Sequence, residues 1–394
     1  MRALSLSLRL AVLWCLTLAL SGCIDPYMPD AISTTKSYLV VDGFINSRGS
    51  TSIKLSRTFD IAAQTAPPIE TRATLFIEEE GGTRYPVLEG SVKGTYTSAS
   101  LTLNPAKNYR LSIRTAAGLE YASSFVPVKT TPPIDAVTWR AANNGLTIYV
   151  NSHDDASATR YYRWEYEETW EIRPPYSPVV EYKNRQIQDI TVPFPTICWG
   201  NTKSTEIKIS NTIRLTQDVV ADYPIRSLPT SSDLLAYKYS IQVKQYAQTA
   251  EEYMYWDQLK KNTENIGTLF DPLPSQLTGN IRCLTNEPEL ALGYVGAYSI
   301  QEKRLFISRS ELPGTWPITN GYRDCIPPDT VFLYKDRPPR PVSETLLSYF
   351  NNPGYLPIDR IYSPAGTVVA YLAKARDCVD CRTRGTEVKP SFWP

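Results

Sequence analysis

The sequence predicts a mainly β protein made of two β-sandwich-like domains, the first immunoglobulin-like and the second carrying an inserted amphipathic helix. Three observations predict it. Stretches such as Ser52-Ile53-Lys54-Leu55-Ser56 alternate polar and apolar side chains with period two, as a half-buried strand does. Turn residues punctuate the chain at strand-length intervals. The composition, with 26 tyrosines and 31 prolines among 394 residues, suits pleated surfaces and irregular loops better than helical bundles. At 42% hydrophobic and 21% charged the chain is able to bury sizeable cores, and its length favours two domains over one.

The first element is a signal. Arg2 and Arg9 precede an apolar run from Leu10 to Leu20 that closes on Leu20-Ser21-Gly22-Cys23. The run is too short for a mature transmembrane helix, and small residues before a cysteine suit a peptidase that cleaves after Gly22 once Cys23 carries diacylglycerol. A plain secretory signal or an anchor with an incidental cysteine fits the short run and the Leu-Ser-Gly-Cys order less well. Residues 1–22 are therefore expected to be a lipoprotein signal peptide, with Cys23 as the lipidation site and the protein lipid-anchored at the outer membrane on the cell surface. Residues 23–36, with Pro26 and Pro29 and no hydrophobic period, read as a tether. Loss of the signal takes two of the 41 basic residues and none of the 40 acidic ones, so the mature chain carries about −1, with no footprint for nucleic acid.

Residues 37–130 read as the immunoglobulin-like sandwich. Tyr38 to Phe44 is a strand running into a turn, followed by Ser52 to Ser56, Ala73 to Glu78, Gly94 to Thr97, Tyr109 to Arg114 and Tyr121 to Phe125. Prolines from Val126-Pro127 to Thr131-Pro132-Pro133 deny ladder hydrogen bonds and mark the boundary.

Residues 131–394 form the larger β-rich domain. Its strands are read at Leu146 to Val150, Tyr161 to Tyr166, Glu206 to Ser210, Tyr237 to Val243, Arg304 to Ile307, Val331 to Tyr334 and Val368 to Leu372. Trp164, Tyr166 and Trp170 share one strand face, which points to core packing before ligand stacking. The helix is read near 250–265. Thr249 with Glu252 makes a capping box, Gly267 supplies the stop, and Tyr253, Trp256 and Tyr255 give an aromatic stripe for the sheet. A shorter helix after Ser343 carries Leu346, Leu347 and Phe350.

Of seven cysteines, Cys15 leaves with the signal and Cys23 is lipidated, so five remain: Cys198, Cys283, Cys325, Cys378 and Cys381. The CxxC spacing of Cys378 and Cys381 suits a redox pair or a zinc site only weakly. Redox pairs usually open a helix in a βαβ unit, and the single histidine, His153, leaves a zinc site short of ligands. A structural disulfide is expected instead, either Cys378 with Cys381 or one of them with Cys325.

Several segments stand out in order along the chain: Tyr38 to Gly43, Tyr239 to Tyr246, Asn262-Thr263-Glu264 with Gly267, Asp271 to Ser275, Gly279-Asn280-Ile281, Leu292-Gly293-Tyr294, and the ending Cys378 to Arg382 with Lys389 to Trp393. The set resembles the lipoprotein family called domain of unknown function 4249, over nearly the whole mature chain. The resemblance implies an envelope lipoprotein of a Gram-negative group rich in TonB-dependent transporters, often encoded beside one. It supplies no catalytic residues.

The sequence holds no nucleophile elbow, zinc-binding histidine pair, phosphate loop or dinucleotide fingerprint. His153 lies in the polar turn Asn151-Ser152-His153-Asp154-Asp155, where a solvent-facing role is the expectation. The protein is expected to be no enzyme, with no cofactor and no metal, and to act as a binding or accessory partner of a TonB-dependent transporter in nutrient uptake. The alternative is a structural subunit of an outer-membrane assembly or secretion complex. A hydrolase would show two close carboxylates in a cleft. Partner contacts are expected from Trp170 and Tyr176 on one loop and from Phe194 and Trp199 on another, because aromatic loop residues on a β scaffold dominate interfaces.

Overall fold

The computed structural model describes residues 37–59, 66–264, 277, 279–334, 338 and 340–394. The expected signal peptide, the tether with Cys23, and the helix stop at Gly267 lie outside the described residues. The protein is mainly β, with several sheets and two α-helices among these residues.

The first sheet is built from β1 (Leu39–Asn46), β2 (Arg48–Arg57), β3 (Thr74–Glu79), β4 (Arg84–Glu89), β5 (Thr95–Thr102), β6 (Asn108–Arg114), β7 (Glu120–Ser123) and β8 (Val126–Lys129). In β2, Thr51, Ile53 and Leu55 are buried while Ser52 and Lys54 face water, which is the alternation read from the sequence. In β6, Tyr109, Leu111 and Ile113 point inward in the same way. The turn expected after the first strand falls at Ser47, between β1 and β2, and Gly43 sits inside β1 at φ +135°, where a Cβ would collide with the Ser52 carbonyl. One local expectation is corrected. The break expected at Val126-Pro127 is a strand. Val126 and Pro127 pair with β6 while Val128 and Lys129 pair with a later strand, so the missing N–H of Pro127 falls where the strand changes partner.

After Thr131-Pro132-Pro133 come β9 (Ile134–Ala142), β10 (Gly145–His153), β11 (Tyr161–Ile172), β12 (Val180–Lys183), β13 (Gln186–Asp189), β14 (Cys198–Lys203), β15 (Lys208–Asn211), β16 (Val219–Pro229) and β17 (Lys238–Ala247), then α1 (Ala250–Glu264). The chain continues through β18 (Ile281–Cys283), β19 (Ala291–Leu292), β20 (Ala297–Tyr298), β21 (Ile300–Ser308), β22 (Asp329–Phe332), α2 (Val342–Phe350), β23 (Tyr355–Tyr362) and β24 (Val368–Ala375).

Strands β18, β19 and β20 return to the first sheet, pairing with β7, β1, and β1 with β8 respectively. Because β8 also pairs with β6, the path β6-β3-β4-β5-β2-β1-β20-β8 closes on itself around a core that includes Leu39, Ile53, Ile77 and Tyr109. The immunoglobulin-like expectation envisaged sequential strands alone; the observed pairing draws three short ones from 281–298.

A second core lies between the three-stranded sheet β16-β10-β9 and the sheet β14-β11-β17-β21, with β15 alongside β11. Trp164 and Tyr166 are buried in it, and Trp164 Nε1 donates to Gln245 Oε1 at 2.8 Å, so the aromatic face of β11 is core as read.

Helix α1 packs its aromatics on β11 and β15: Tyr253 lies 5.1 Å from Tyr161, and Trp256 covers the Arg163 guanidinium at 4.4 Å. The capping box is half present. Thr249 Oγ1 accepts from the Glu252 amide at 3.2 Å, but the Glu252 carboxylate turns inward and accepts from Trp256 Nε1 and Tyr298 Oη. An interior cation draws it there, because Arg163 is buried beside it, donating to Glu165 at 2.5 Å and to Tyr298 Oη at 3.3 Å. Phe44 of β1 stacks on Tyr298 at 4.5 Å and touches Tyr246 at 5.4 Å, so this polar cluster joins the first sheet to the second.

Candidate binding site

His153, read from the sequence as part of a polar turn, is the last residue of β10 and pairs with Val219. Nδ1 of His153 lies 2.8 Å from Asp135 and Nε2 lies 3.8 Å from Asp155, so both ring nitrogens face carboxylates at an exposed strand end. The hydrogen bond and charge of Asp135 raise its pKa above the ordinary histidine value.

The C-terminal residues form a compact module around two disulfides, Cys198 with Cys381 and Cys325 with Cys378. Cys325 with Cys378 is one of the pairings read from the sequence. The other, Cys378 with Cys381, does not form, since each of those sulfurs belongs to a different bridge. The pairing of Cys198 was missed: its partner is 183 residues away, and nothing local marks it. Loop length gives no signal for this pairing, since a longer loop costs more entropy to close; the fold decides it by bringing the Cα atoms of Cys198 and Cys381 to 5.7 Å. Cys283 is free and half-buried on β18.

Between the two late cysteines, Asp380 caps the turn Cys381–Thr383. Its carboxylate accepts from the Arg382 amide and from Arg382 Nε and Nη2 at 2.8 and 3.0 Å. Burial alone would raise its pKa, but these bonds win and hold it below the ordinary carboxylate range.

The four aromatic residues expected to make partner contacts come to this module, none of them fully exposed. Trp170, Tyr176 and Phe194 pack on the disulfide core, and the Tyr176 hydroxyl donates to the Cys325 carbonyl at 2.9 Å. Trp199 lies on β14, its amide bonded to the Thr386 carbonyl at 2.8 Å, with Nε1 buried and unpartnered among the described residues.

Beside them opens a cavity of about 300 Å³, within the range of small-ligand sites. The β12–β13 hairpin and the segment after it supply Tyr182, Val192 and Phe194; the end of α2 supplies Phe350, β23 supplies Tyr355, and the turn before Cys378 supplies Arg376. The walls are aromatic, with Phe350 against Tyr182 at 5.8 Å and stacked on Tyr355 at 6.0 Å. Two donors in this lining have no hydrogen-bond partner among the described residues: Tyr182 Oη and Arg376 Nε, both buried. Arg376 Nε lies 3.9 Å from Asp380 Oδ2, an ion pair, and the same carboxylate also accepts from Arg382. A larger cleft of about 600 Å³ runs between α1 and the segments around Phe125 and Asn280. There Asn280 is engaged with Val295 through both side-chain atoms and Thr249 with the helix end, so the smaller cavity is the better equipped to hold a ligand.

The profile of one family, described as Domain of unknown function (DUF4249), matches residues 24–304. The chain belongs to the DUF4249 family. The DUF4249 match includes Tyr182, Val192 and Phe194 on one wall of the cavity and stops before Phe350, Tyr355 and Arg376 on the other. It also stops short of Cys325, Cys378 and Cys381. A search of curated proteins finds no match to the chain.

Proposed function

We propose that this DUF4249 member is a non-enzymatic lipoprotein, held at the outer membrane on the cell surface through Cys23, that serves as a binding or accessory partner of a TonB-dependent transporter in nutrient uptake. The observation that carries the location is the pair of disulfides, Cys198–Cys381 and Cys325–Cys378, because such bridges persist in oxidising compartments, in keeping with the lipoprotein signal. No helix among the described residues is long and apolar enough to cross a membrane, so in this reading the lipid supplies the attachment. The transporter follows from what the family resemblance implies. Exposed aromatic residues also support it: Phe332, Tyr334 and Tyr362 are 54%, 61% and 57% exposed, and aromatic residues left in water at this level suit an interface. In the same reading the chain makes an immunoglobulin-like base, of residues 37–130 with strands returning from 281–298, and a larger binding unit, each with its own core.

Mild-detergent extraction of the tagged lipoprotein, followed by mass spectrometry, tests this. A co-purifying TonB-dependent barrel is expected. Recovery of the lipoprotein alone would overturn it, and recovery of assembly or secretion machinery without a transporter would favour a structural subunit instead.

A further inference from the structure

We infer that the end of the first sheet where the chain enters at Ser37 rests on the bilayer, with Phe59, Ile69, Val92, Leu284 and Leu290 set into its interfacial layer. The inference rests on the lipoprotein reading above and adds which face of the folded protein meets the membrane.

Strand direction gathers these residues at one end. β1 starts there and β2 finishes there, with Leu39 opposite Arg57. Phe59 follows Thr58, whose hydroxyl accepts from the Tyr38 amide at 2.9 Å. The turn from β4 to β5 carries Val92 and lies at the same end, since the Gly94 carbonyl accepts from the Leu55 amide at 2.8 Å. Ile69 pairs with Ser56, and Leu290 precedes Ala291, the partner of Leu39. Leu284 donates its amide to the carbonyl of Glu120, where β7 begins, and Glu120 and Thr74 both pair with Arg114 at the end of β6. One side chain ties three of these segments together: Arg57 donates to the Ser37 carbonyl at 3.2 Å and to Glu70 at 2.7 Å, and lies 3.8 Å from Glu289.

The five apolar side chains are between 41% and 67% exposed. The opposite end of β1 is occupied, with Ile45 donating to the Gly296 carbonyl and Phe44 against Tyr298 and Tyr246, so the apolar end points away from the second core. The place where the tether joins says what covers it. In the lipoprotein reading residues 23–36 link Ser37 to the lipid, and a flexible chain of that length spans about 20 Å. The eight residues of β1 are about 26 Å long, so the entry end is the one held near the bilayer. The chemistry agrees. Four of the five side chains are aliphatic, a type that suits the acyl boundary and is under-represented among the anchors of protein interfaces. Exposed charges here have both signs, Lys93 and Arg72 against Glu287, so apolar contact and not attraction to anionic lipid seats the end. Five side chains bury little area, so the lipid holds the protein and this end orients it.

Photo-crosslinking tests this. The full mature chain, with a hexahistidine tag in place of Cys23, is held on phosphatidylcholine vesicles that contain nickel-chelating lipid, so attachment does not depend on lipidation. A benzophenone side chain is placed at Val92 or Leu284, and for comparison at Phe332 or Tyr362 of the second unit, all of them exposed. Lipid adducts at Val92 and Leu284 should exceed those at the other two by about fivefold or more, because only this end is seated in the interface. Ile69→Asp with Leu284→Asp should lower the Val92 yield by about threefold or more, which mere nearness to the vesicle does not explain. Ile69→Ser with Leu284→Ser serves the same purpose if the aspartate pair fails to fold. Equal yields at the four positions, or a Val92 yield unmoved by the substitutions in folded protein, overturn the inference. So does a protein adduct at Val92 in place of lipid in cells, which makes this end a partner interface. Palmitate labelling of Cys23 is scored separately, so the lipoprotein reading is able to fail while the membrane face stands, and the reverse.

Discussion

Gly296 makes room for Glu252. A Cβ built on Gly296 would overlap Glu252 Oε2 and the ring of Tyr298, so only glycine lets the carboxylate of α1 reach the interior beside β20. That carboxylate accepts from Tyr298, which accepts from Arg163 of β11 and stacks on Phe44 of β1. One buried acid thereby connects the helix, the first sheet and the second sheet, in surroundings where an unmet charge is expensive.

Gly296→Ala should therefore destabilise the fold by about 1 to 3 kcal/mol, the usual cost of overpacking a filled interior. Gly314→Ala is the control, since a Cβ there meets nothing within 4 Å. Denaturant melts of the two variants check this. Equal, small effects would show that the crowding at Gly296 relaxes freely.

Glu252 also gives the molecule a pH dependence with a definite sign. Burial raises its carboxyl pKa above the ordinary value, with Arg163 and the hydrogen bonds to it pulling only partly back. A group whose folded pKa is raised contributes stability that is fully present below the unfolded value, about 4.3 for glutamate, and lost as pH rises through the folded value. Glu252→Gln should remove that loss, so wild type and variant should converge in stability at low pH and the variant should gain relative to wild type on going to neutral pH. Thermal melts across the range measure it, and a difference that does not change with pH would refute the assignment.

The bridges predict a larger effect. Cys198→Ser with Cys381→Ser should lose about 2 to 5 kcal/mol, because a loop of 183 residues is freed in the unfolded chain and the module holding Arg376 loses its tie to β14. Non-reducing peptide mapping of the mature protein should recover Cys198–Cys381 and Cys325–Cys378 with Cys283 alkylated alone. A Cys378–Cys381 peptide would contradict the connectivity.

Local elements were legible in the sequence because their causes are local. Ile53 and Leu55 against Lys54 announce β2, and Thr249 announces the start of α1. What stayed hidden depends on partners far along the chain. Ala297–Tyr298 is too short to show a period, so nothing local sends β20 to pair with β1 and β8. The inward turn of Glu252 depends on Arg163, from a strand far back along the chain. The cavity beside Phe194 follows the same rule: Phe194 stands out in the sequence as an aromatic loop residue, but Arg376 and Phe350 reach it only through the fold, and one loop residue does not define a cavity.

The last prediction concerns how the protein is held on the membrane. Cys23 lies outside the described residues, so its role rests on sequence chemistry: the thiol at the junction after Gly22 is the group able to take a diacylglycerol, and the short apolar run before it suits export better than a lasting span. Stable anchoring needs more buried methylenes than one short acyl chain supplies, and the several chains of a processed lipoprotein meet that requirement. Cys23→Ser should abolish lipidation and the cleavage that follows it. The unprocessed chain should run larger by the mass of the signal and take up no labelled palmitate, while the wild type is labelled and fractionates with the outer membrane. A Cys23→Ser variant that still matures and remains with that membrane would show that attachment comes from the folded residues themselves, and the lipoprotein reading would fall with it.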